Sequence, residues 1–459
     1  MKKEEHYIQK IKDKTMYQMK KIFFIVIIFL IQLNAKAQEK KEITIESAKA
    51  YALNHSKNKM NDGLEVEKAE LKVKEYLGLL LPQVNADLSF THFGKLPSSI
   101  IPSNTFPGQT EDLVTTFGTP NNVSANINLS QIIFNGSFLI GVKGAQEYVE
   151  LSKKELALND EQIIDQVIRA FYGVLVTREN LEIITQNKTN LEKLIFETEQ
   201  YYKNGFVEQL DVDRLKLSLT NLNTTIKGIE LQVKLTETLL KYQMGMPLDE
   251  PIIVIGKLDD FLTNITIGID SIADFSNRGD VNLMNARVNL QKTNIKRLKY
   301  EYLPSLVGFA TIGSQALRQK FDFFNFNEPW LNQRFFGVQL NVPIWDSYSR
   351  KRTIQGVEVG IKQIEMTRDI MIDGYEIQFE NAKTELITAF DAYTSYQSNI
   401  QLAEKIYKTT QVKYKEGIGS SLELKSAESE LYTTQSNYIN AIYRVLIAKQ
   451  EINKLLGIL

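Results

Sequence analysis

The sequence predicts a mainly α-helical chain: tandem-repeat long helical hairpins with four β-strands between them, of a kind suited to a membrane barrel. Three observations carry that class. Residues 138–203 contain no proline and only three glycines, Gly141, Gly144 and Gly173, so helical spacing runs unbroken to Tyr202-Lys203-Asn204-Gly205. A comparable stretch starts near Arg350 and ends at Tyr414-Lys415-Glu416-Gly417. Between the helical regions lie short segments in which apolar and polar residues alternate, a period of two rather than 3.6.

Composition bounds the function. The 459 residues carry a formal net charge of −1. The first 37 hold eight Lys against three acids, leaving −6 for the remainder, which is unlike the basic face of a nucleic-acid binder. The absence of cysteine excludes thiolate catalysis, Cys-based zinc sites, disulfides and a lipid anchor on an N-terminal Cys. The apolar run from Ile22 to Ile31 is ten residues long, follows Lys20-Lys21 and precedes Ala35-Lys36-Ala37. That is short of the roughly 20 residues of a spanning helix and reads as a signal peptide over 1–37, cut before Gln38. A buried core strand is the competing reading, and Met16 or Met19 are alternative starts.

In chain order, mixed 3 and 4 spacings of Ile45, Ala48, Leu53, Leu64 and Leu71 predict one helix over 44–80, with a poor capping box at Thr44 and Ser47. Pro82 stops it. Val84, Ala86, Leu88 and Phe90 then alternate with Asn85, Asp87, Ser89 and Thr91. After a loop from Pro97 to Asn122, Val123, Ala125, Ile127 and Leu129 alternate with Ser124, Asn126, Asn128 and Ser130. Such strands fit a transmembrane barrel with a wet lumen, and equally a half-solvated soluble hairpin. Ile133-Phe134-Asn135-Gly136 launches the first long helix. Its Leu181, Ile184, Leu191, Ile195 and Tyr202 make a heptad seam, with Lys188 and Thr198 in the gaps. At 1.5 Å per residue the helix spans roughly 100 Å. The helix after Gly205 runs to Gly245 and Pro247, and residues 246–269 break the pattern with the β-prone run Ile252-Ile253-Val254-Ile255.

The second half retraces the first. A helix from about Ser271 ends at Leu303-Pro304, and Leu306, Gly308, Ala310 and Ile312 form a less regular strand. A loop rich in aromatics, including Phe321, Phe323, Phe324, Phe326 and Trp330, leads to Phe336, Val338, Leu340 and Val342. Ile344-Trp345-Asp346-Ser347 matches residues 133–136. Gly205 to Gly417 and Gly245 to Gly457 are both offsets of 212, whereas Pro82 to Pro304 is 222, so the first hairpin is about ten residues longer. The domain reading is therefore two repeats, 43–245 and 271–457, joined by a linker over 246–270 within one unit of 38–459. Helix lengths predict that helix 206–245 stacks on helix 271–303 beside one long helix, and helix 418–456 on helix 44–80 beside the other. Four strands cannot close a barrel and open edges are not tolerated in lipid, so several copies would share one barrel.

This pattern resembles the TolC family of outer membrane efflux proteins over nearly all of the mature chain. The resemblance rests on Leu81-Pro82 and Leu303-Pro304, on Val342-Pro343-Ile344-Trp345-Asp346, and on the Tyr-x-x-Gly turns at 202–205 and 414–417. It implies a homotrimer with a 12-stranded barrel in the outer membrane and an α-helical periplasmic tunnel. The tunnel's closed tip would dock a periplasmic adaptor and an inner-membrane transporter of the RND or ABC type. Ser347-Tyr348 stands where the family favours Gly-Gly, and Gly419 where some members carry an Arg that holds the tip shut. By the same resemblance Asp211 and Glu423 fall where the family places acids lining the aperture. Asp213 is either a third such acid or part of a solvated helix face. Turn residues Asn204, Gly205, Phe206, Val207, Glu416, Gly417, Ile418 and Gly419 offer apolar side chains for adaptor docking.

No reactive constellation appears. His6, His55 and His92 lie in different segments without metal-ligand spacing, and no Gly-x-x-x-x-Gly-Lys loop is present. No enzyme, cofactor, metal or nucleic-acid partner is expected. The rival class is an exported periplasmic coiled-coil adaptor or scaffold, whose strands would carry charges on their apolar faces; none is seen on these.

Overall fold

The computed structural model describes residues 41–262, 274–325 and 327–458. The signal-peptide region, residues 263–273 of the linker region and Phe326 lie outside the described residues. In chain order the elements are β1 (Lys41–Ile43), α1 (Ile45–His55), α2 (Lys57–Gly78), β2 (Gln83–His92), β3 (Ser98–Ile101), β4 (Leu113–Thr116) and β5 (Asn121–Phe134). There follow α3 (Gly136–Lys203), α4 (Gln209–Met244), β6 (Ile252–Val254), a 3-10 turn (Leu258–Phe261) and α5 (Gly279–Tyr300). The chain then forms β7 (Ser305–Arg318), β8 (Leu331–Asn341), α6 (Ser349–Lys415) and α7 (Ser421–Leu455).

One ordering organises the molecule. The main sheet runs β2-β5-β7-β8, antiparallel throughout. The helices next to it run in the same order, α2-α3-α5-α6, because each strand continues into its own helix. Lys59 Nζ meets Asp160 Oδ2 at 2.7 Å between α2 and α3, Arg287 meets Glu155 at 3.1 Å between α5 and α3, and Arg368 donates to Asn285 at 3.2 Å between α6 and α5. Farther from the sheet α4 takes the place of α2 and α7 that of α5. Arg178 pairs with Glu237 of α4 at 2.6 Å, Asn187 donates to Gln435 of α7 at 2.7 Å, and Arg444 of α7 pairs with Glu385 of α6 at 2.8 Å.

This order corrects the stacking expected from helix lengths. The 36-residue α4 sits end-on to the 22-residue α2, and the 35-residue α7 to the 22-residue α5. Lengths alone could not choose, since the two short helices are equal and the two longer ones nearly so. Strand connectivity decides it. The helix expected from 271 begins at Gly279, after an irregular 274–278 segment. The single helix expected over 44–80 is divided at Ser56, which is extended at φ −60° and ψ 126°. The Thr44–Ser47 capping box, poor by sequence, forms in both directions at 2.8 and 3.3 Å. A serine hydroxyl here replaces the usual longer carboxylate.

Two small sheets were not expected. β1 pairs in parallel with β6, and β3 pairs with β4 inside the loop that follows β2. The first closes the mid-length core, where Ile43, Phe171, Leu240, Met244, Leu258 and Leu446 are buried together. A second apolar cluster lies toward the far ends of the helices and joins Leu191, Leu194 and Leu215 of the first hairpin to Tyr407, Leu424 and Leu431 of the second. The heptad seam is present there through Ile184, Leu191 and Ile195, but Tyr202 is exposed, Asn187 rather than Lys188 fills a buried gap, and Thr198 is buried and donates to Leu194 O at 2.8 Å.

Candidate functional site: a polar-faced sheet and a two-turn tip

Cross-strand partners lie on the same face, so the register defines both faces of the main sheet. One carries Val84 opposite Leu129, Ala86 opposite Ile127, Ile127 opposite Ile312, and Leu306 opposite Leu340. Its larger side chains, such as Leu88 and Phe336, are exposed. The other carries a polar ladder. Ser89 and Ser124 hydroxyls are 2.7 Å apart, Asn128 bonds Asp87, Thr311 donates to Asn128 at 2.8 Å, and Gln333 donates to Asn126 at 3.1 Å. Phe309 and Phe335 interrupt this face, with Phe309 lying over Gly337, whose added Cβ would meet its ring at 2.9 Å.

Arg334 corrects the expectation of a charge-free apolar face, for it stands opposite Ile312 on that face. It lies three residues from the outer end of β8, where a guanidinium reaches past the hydrocarbon to polar surroundings. At the outer ends the same face turns polar through His92, Asn121 and Arg318. His92 Nδ1 lies 2.8 Å from Asn121 Oδ1, and Asn121 stands opposite Arg318. Where strands meet helices, Tyr302, Trp345 and Tyr348 form an aromatic group, with Trp345 edge-on to Tyr348 at 4.8 Å and Arg350 over Tyr302. An apolar band between polar and aromatic borders matches a bilayer-facing barrel surface.

At the far end the two helix turns are built alike. Gly205 and Gly417 have φ of 77° and 74°, the left-handed conformation that glycine adopts without a Cβ clash. Phe206 N donates to Tyr201 O at 2.9 Å and Gly205 N to Tyr202 O at 2.9 Å; Ile418 and Gly417 repeat both bonds to Lys413 and Tyr414 at 3.0 and 3.1 Å. The paired bonds satisfy carbonyls left open at the helix ends. They project Phe206 and Ile418, 76% and 77% exposed, beside exposed Asn204 and Glu416 and the half-buried Val207 and Gly419.

The structure brings these turns together at one end. Arg214 of α4 donates to Ser421 of α7 at 2.8 Å, and Lys415 pairs with Glu197 at 2.6 Å. Asp211 is half-buried, 3.9 Å from Arg214. Burial, reinforced by the Asp211 charge, pushes the Tyr414 hydroxyl pKa up. Asp213 is exposed and accepts from Gln209 at 2.8 Å. Glu423 is exposed and closes the α7 capping box, accepting from Ser420 N at 3.4 Å while Glu423 N donates to Ser420 Oγ at 3.2 Å.

Sequence reasoning missed Arg214, Tyr414 as a buried phenol, and Glu428. Glu428 is 2% exposed, accepting from Tyr432 at 2.9 Å and pairing with Lys425 at 3.2 Å. Tyr414 sat within the recognised Tyr-x-x-Gly turn, but Glu428 carried no signal beyond its place among apolar neighbours. Among the described residues no cluster of acids and histidines is arranged to hold a metal.

A four-strand sheet with one apolar and one polar face, continued by a layer of long helices, has the build of a membrane channel wall. Residues 275–458 match the family model of outer membrane efflux proteins. The outer membrane protein TolC of Vibrio cholerae is 18% identical over 341 residues, 73% of this chain and 77% of its own length. Nodulation protein T of Rhizobium leguminosarum bv. trifolii is 19% identical, covering 78% and 76%. The fold is similar to CusC (TM-score 0.69, 14% identity, 90% and 91% coverage) and to the open state of the Neisseria gonorrhoeae MtrE outer membrane channel (0.66, 15%, 90% and 88%). The second half of the chain thus matches the outer membrane efflux proteins, and the whole chain shares the fold of solved channels of that kind. Its sheet lies in the outer membrane, and its helices extend into the periplasm.

Proposed function

We propose that three copies close into one tube, a 12-stranded barrel continued by a helical tunnel, which serves as the passive exit duct of a tripartite efflux or type I secretion system. The observation that carries this reading is the shared order of strands and helices, which leaves two open edges. β2 with α2 and α4 forms one, and β8 with α6 the other. Unpaired strand edges are not tolerated in lipid. The edge helices also expose aliphatic side chains at heptad-like steps: Leu217, Leu231 and Leu235 on α4, and Met366, Ile370 and Ile377 on α6. A neighbouring copy covers both.

In this reading the turns at 204–207 and 416–419 dock a periplasmic adaptor, which couples the duct to an inner-membrane transporter of the RND or ABC type. Asp211, Asp213 and Glu423, three copies of each, ring the aperture and favour cations there. The rival reading as a periplasmic scaffold is opposed by the exposed apolar face of the sheet, which water would not favour. An unboiled gel of outer membranes tests the assembly: a heat-sensitive trimer is expected, and a soluble monomer overturns it. Gly205→Pro with Gly417→Pro tests the tip. Trimers are expected to survive while efflux is lost, and unchanged drug or substrate export would remove the tip from the mechanism.

A further inference from the structure

The β3–β4 hairpin stands apart from the rest of the chain. It forms its own two-stranded sheet and packs substantially against no other described helix or strand. Isolated two-stranded hairpins are marginal in water. Yet this one is built to hold a shape: Ser103 N donates to Asp112 at 2.7 Å, Thr105 Oγ1 to Pro102 O at 2.6 Å, and Asn104 N to Gln109 O at 3.0 Å. Ile100 and Val114 face each other across the pair, 64% and 65% exposed, so the hairpin offers an uncovered apolar patch. The hairpin also lies within the stretch that makes the first repeat about ten residues longer than the second.

Its position selects the cover. The hairpin grows from the outer end of β2, an edge strand of the sheet. In a shared barrel, which is the reading proposed above, β2 abuts β8 of the next copy. The chain enters β8 at its outer end through Trp330 and Leu331, half-buried and exposed respectively. The residues from 96 to 122 contain two charges, Glu111 and Asp112, and no base, so lipid phosphates find no cation on the hairpin. We propose that the Ile100–Val114 face packs on the outer end of β8 in the neighbouring copy, so that three hairpins form an extracellular collar around the mouth and tie the copies together.

The chain has no cysteine, which makes a direct test possible. The double variant Val114→Cys with Leu331→Cys, treated in whole cells with a short bis-maleimide, is expected to carry most chains into covalent dimers and trimers on a boiled gel. Either single variant is expected to stay mostly monomeric. A heat-sensitive trimer on the unboiled gel together with only monomers on the boiled one would overturn the collar and leave the shared barrel standing. Loss of the unboiled trimer in the unmodified chain would overturn the barrel reading itself. Cysteines that react with a water-soluble maleimide only after lipopolysaccharide is released by chelation would assign the patch to lipid and overturn the collar. As a second measurement, replacing residues 97–118 by Asn-Gly is expected to lower the trimer's dissociation temperature, and an unchanged temperature counts against the proposal.

Discussion

The two halves of the chain build the same end-to-end helix joint in opposite ways. Where α4 meets the break between α1 and α2, backbone packs on backbone. Gly245 has φ 72°, and a Cβ there would lie 2.4 Å from His55 O. Where α7 meets α5, the joint is a polar cavity of about 430 Å³ lined by Glu161, Asp165, Asp280, Tyr375, Glu451 and Lys454 among others. Arg278 holds it. Its Nη1 donates to the last carbonyls of α7, Lys454 O and Leu455 O, both at 2.8 Å, while Nη2 lies 3.0 Å from Asp280 and the guanidinium stacks on Tyr375. The repeat-related Gly457 has nothing within 4 Å of its added Cβ. One joint is closed by shape, the other by charge, and the same glycine matters differently in each.

Mutation and pH separate the two designs. The largest effect is expected at Gly245→Ala. It combines left-handed strain with a backbone collision and should abolish most folded trimer, read on an unboiled gel. Gly457→Ala carries the strain alone, about 1–2 kcal/mol, and should lower thermal stability without loss of assembly. Equal effects would break the comparison. Next, Arg278→Ala leaves two helix-end carbonyls and Asp280 without their donor, a cost of about 3 kcal/mol. Arg278→Lys should recover part of it in thermal unfolding of the detergent-solubilised protein.

The charged joint should also respond to acid. Burial raises the Asp280 pKa, but hydrogen bonds from Arg278 and Tyr375 and the Arg278 charge outweigh it, and the net shift is downward. A depressed carboxylate pKa stabilises the fold above the ordinary Asp value, and that contribution is lost as pH falls through the folded value. Thermal stability of the native chain should therefore decline below about pH 4 more steeply than that of Asp280→Asn. Glu161 works the other way, since burial, with Asp280 adding to it, raises its pKa against the pull of Arg278.

The smallest expected effect lies at the entry to the long helices. α3 begins regularly, with Asn135 accepting from Phe138 N at 3.1 Å. α6 is entered through two residues at positive φ, Ser347 at 55° and Tyr348 at 64°. That left-handed conformation favours glycine at both positions, in keeping with the glycines that the resemblance implies there. Ser347→Gly should raise stability by about 0.5–1 kcal/mol, a gain that melting curves would resolve. Tyr348 is the poorer target because its ring packs edge-on against Trp345.

Much of this was legible in the residues, for local reasons. The left-handed glycines at 205, 245, 417 and 457 announced themselves through the 212 offset, and all four end helices by the same pair of bonds. Alternation over 84–90 and 123–129 named the two faces of the sheet before the register did. The tip was legible as turns, but the bridges across it were not. Arg214 meets Ser421, and Lys415 meets Glu197, 207 and 218 positions apart, and no spacing rule reaches that far.

The sequence by itself determined the parts: two long helices, their glycine ends, four amphipathic strands and their repetition, because periodicity and turn chemistry act over a few residues. Only the tertiary structure decided how the parts are ordered. Two 22-residue helices and two longer ones of 36 and 35 residues are interchangeable by length. The pairing was settled by which strand each short helix feeds, and by whether the joint it enters is filled by the backbone at Gly245 or clamped by Arg278. Long-range contacts of that kind depend on where the chain returns in space, which no local pattern encodes.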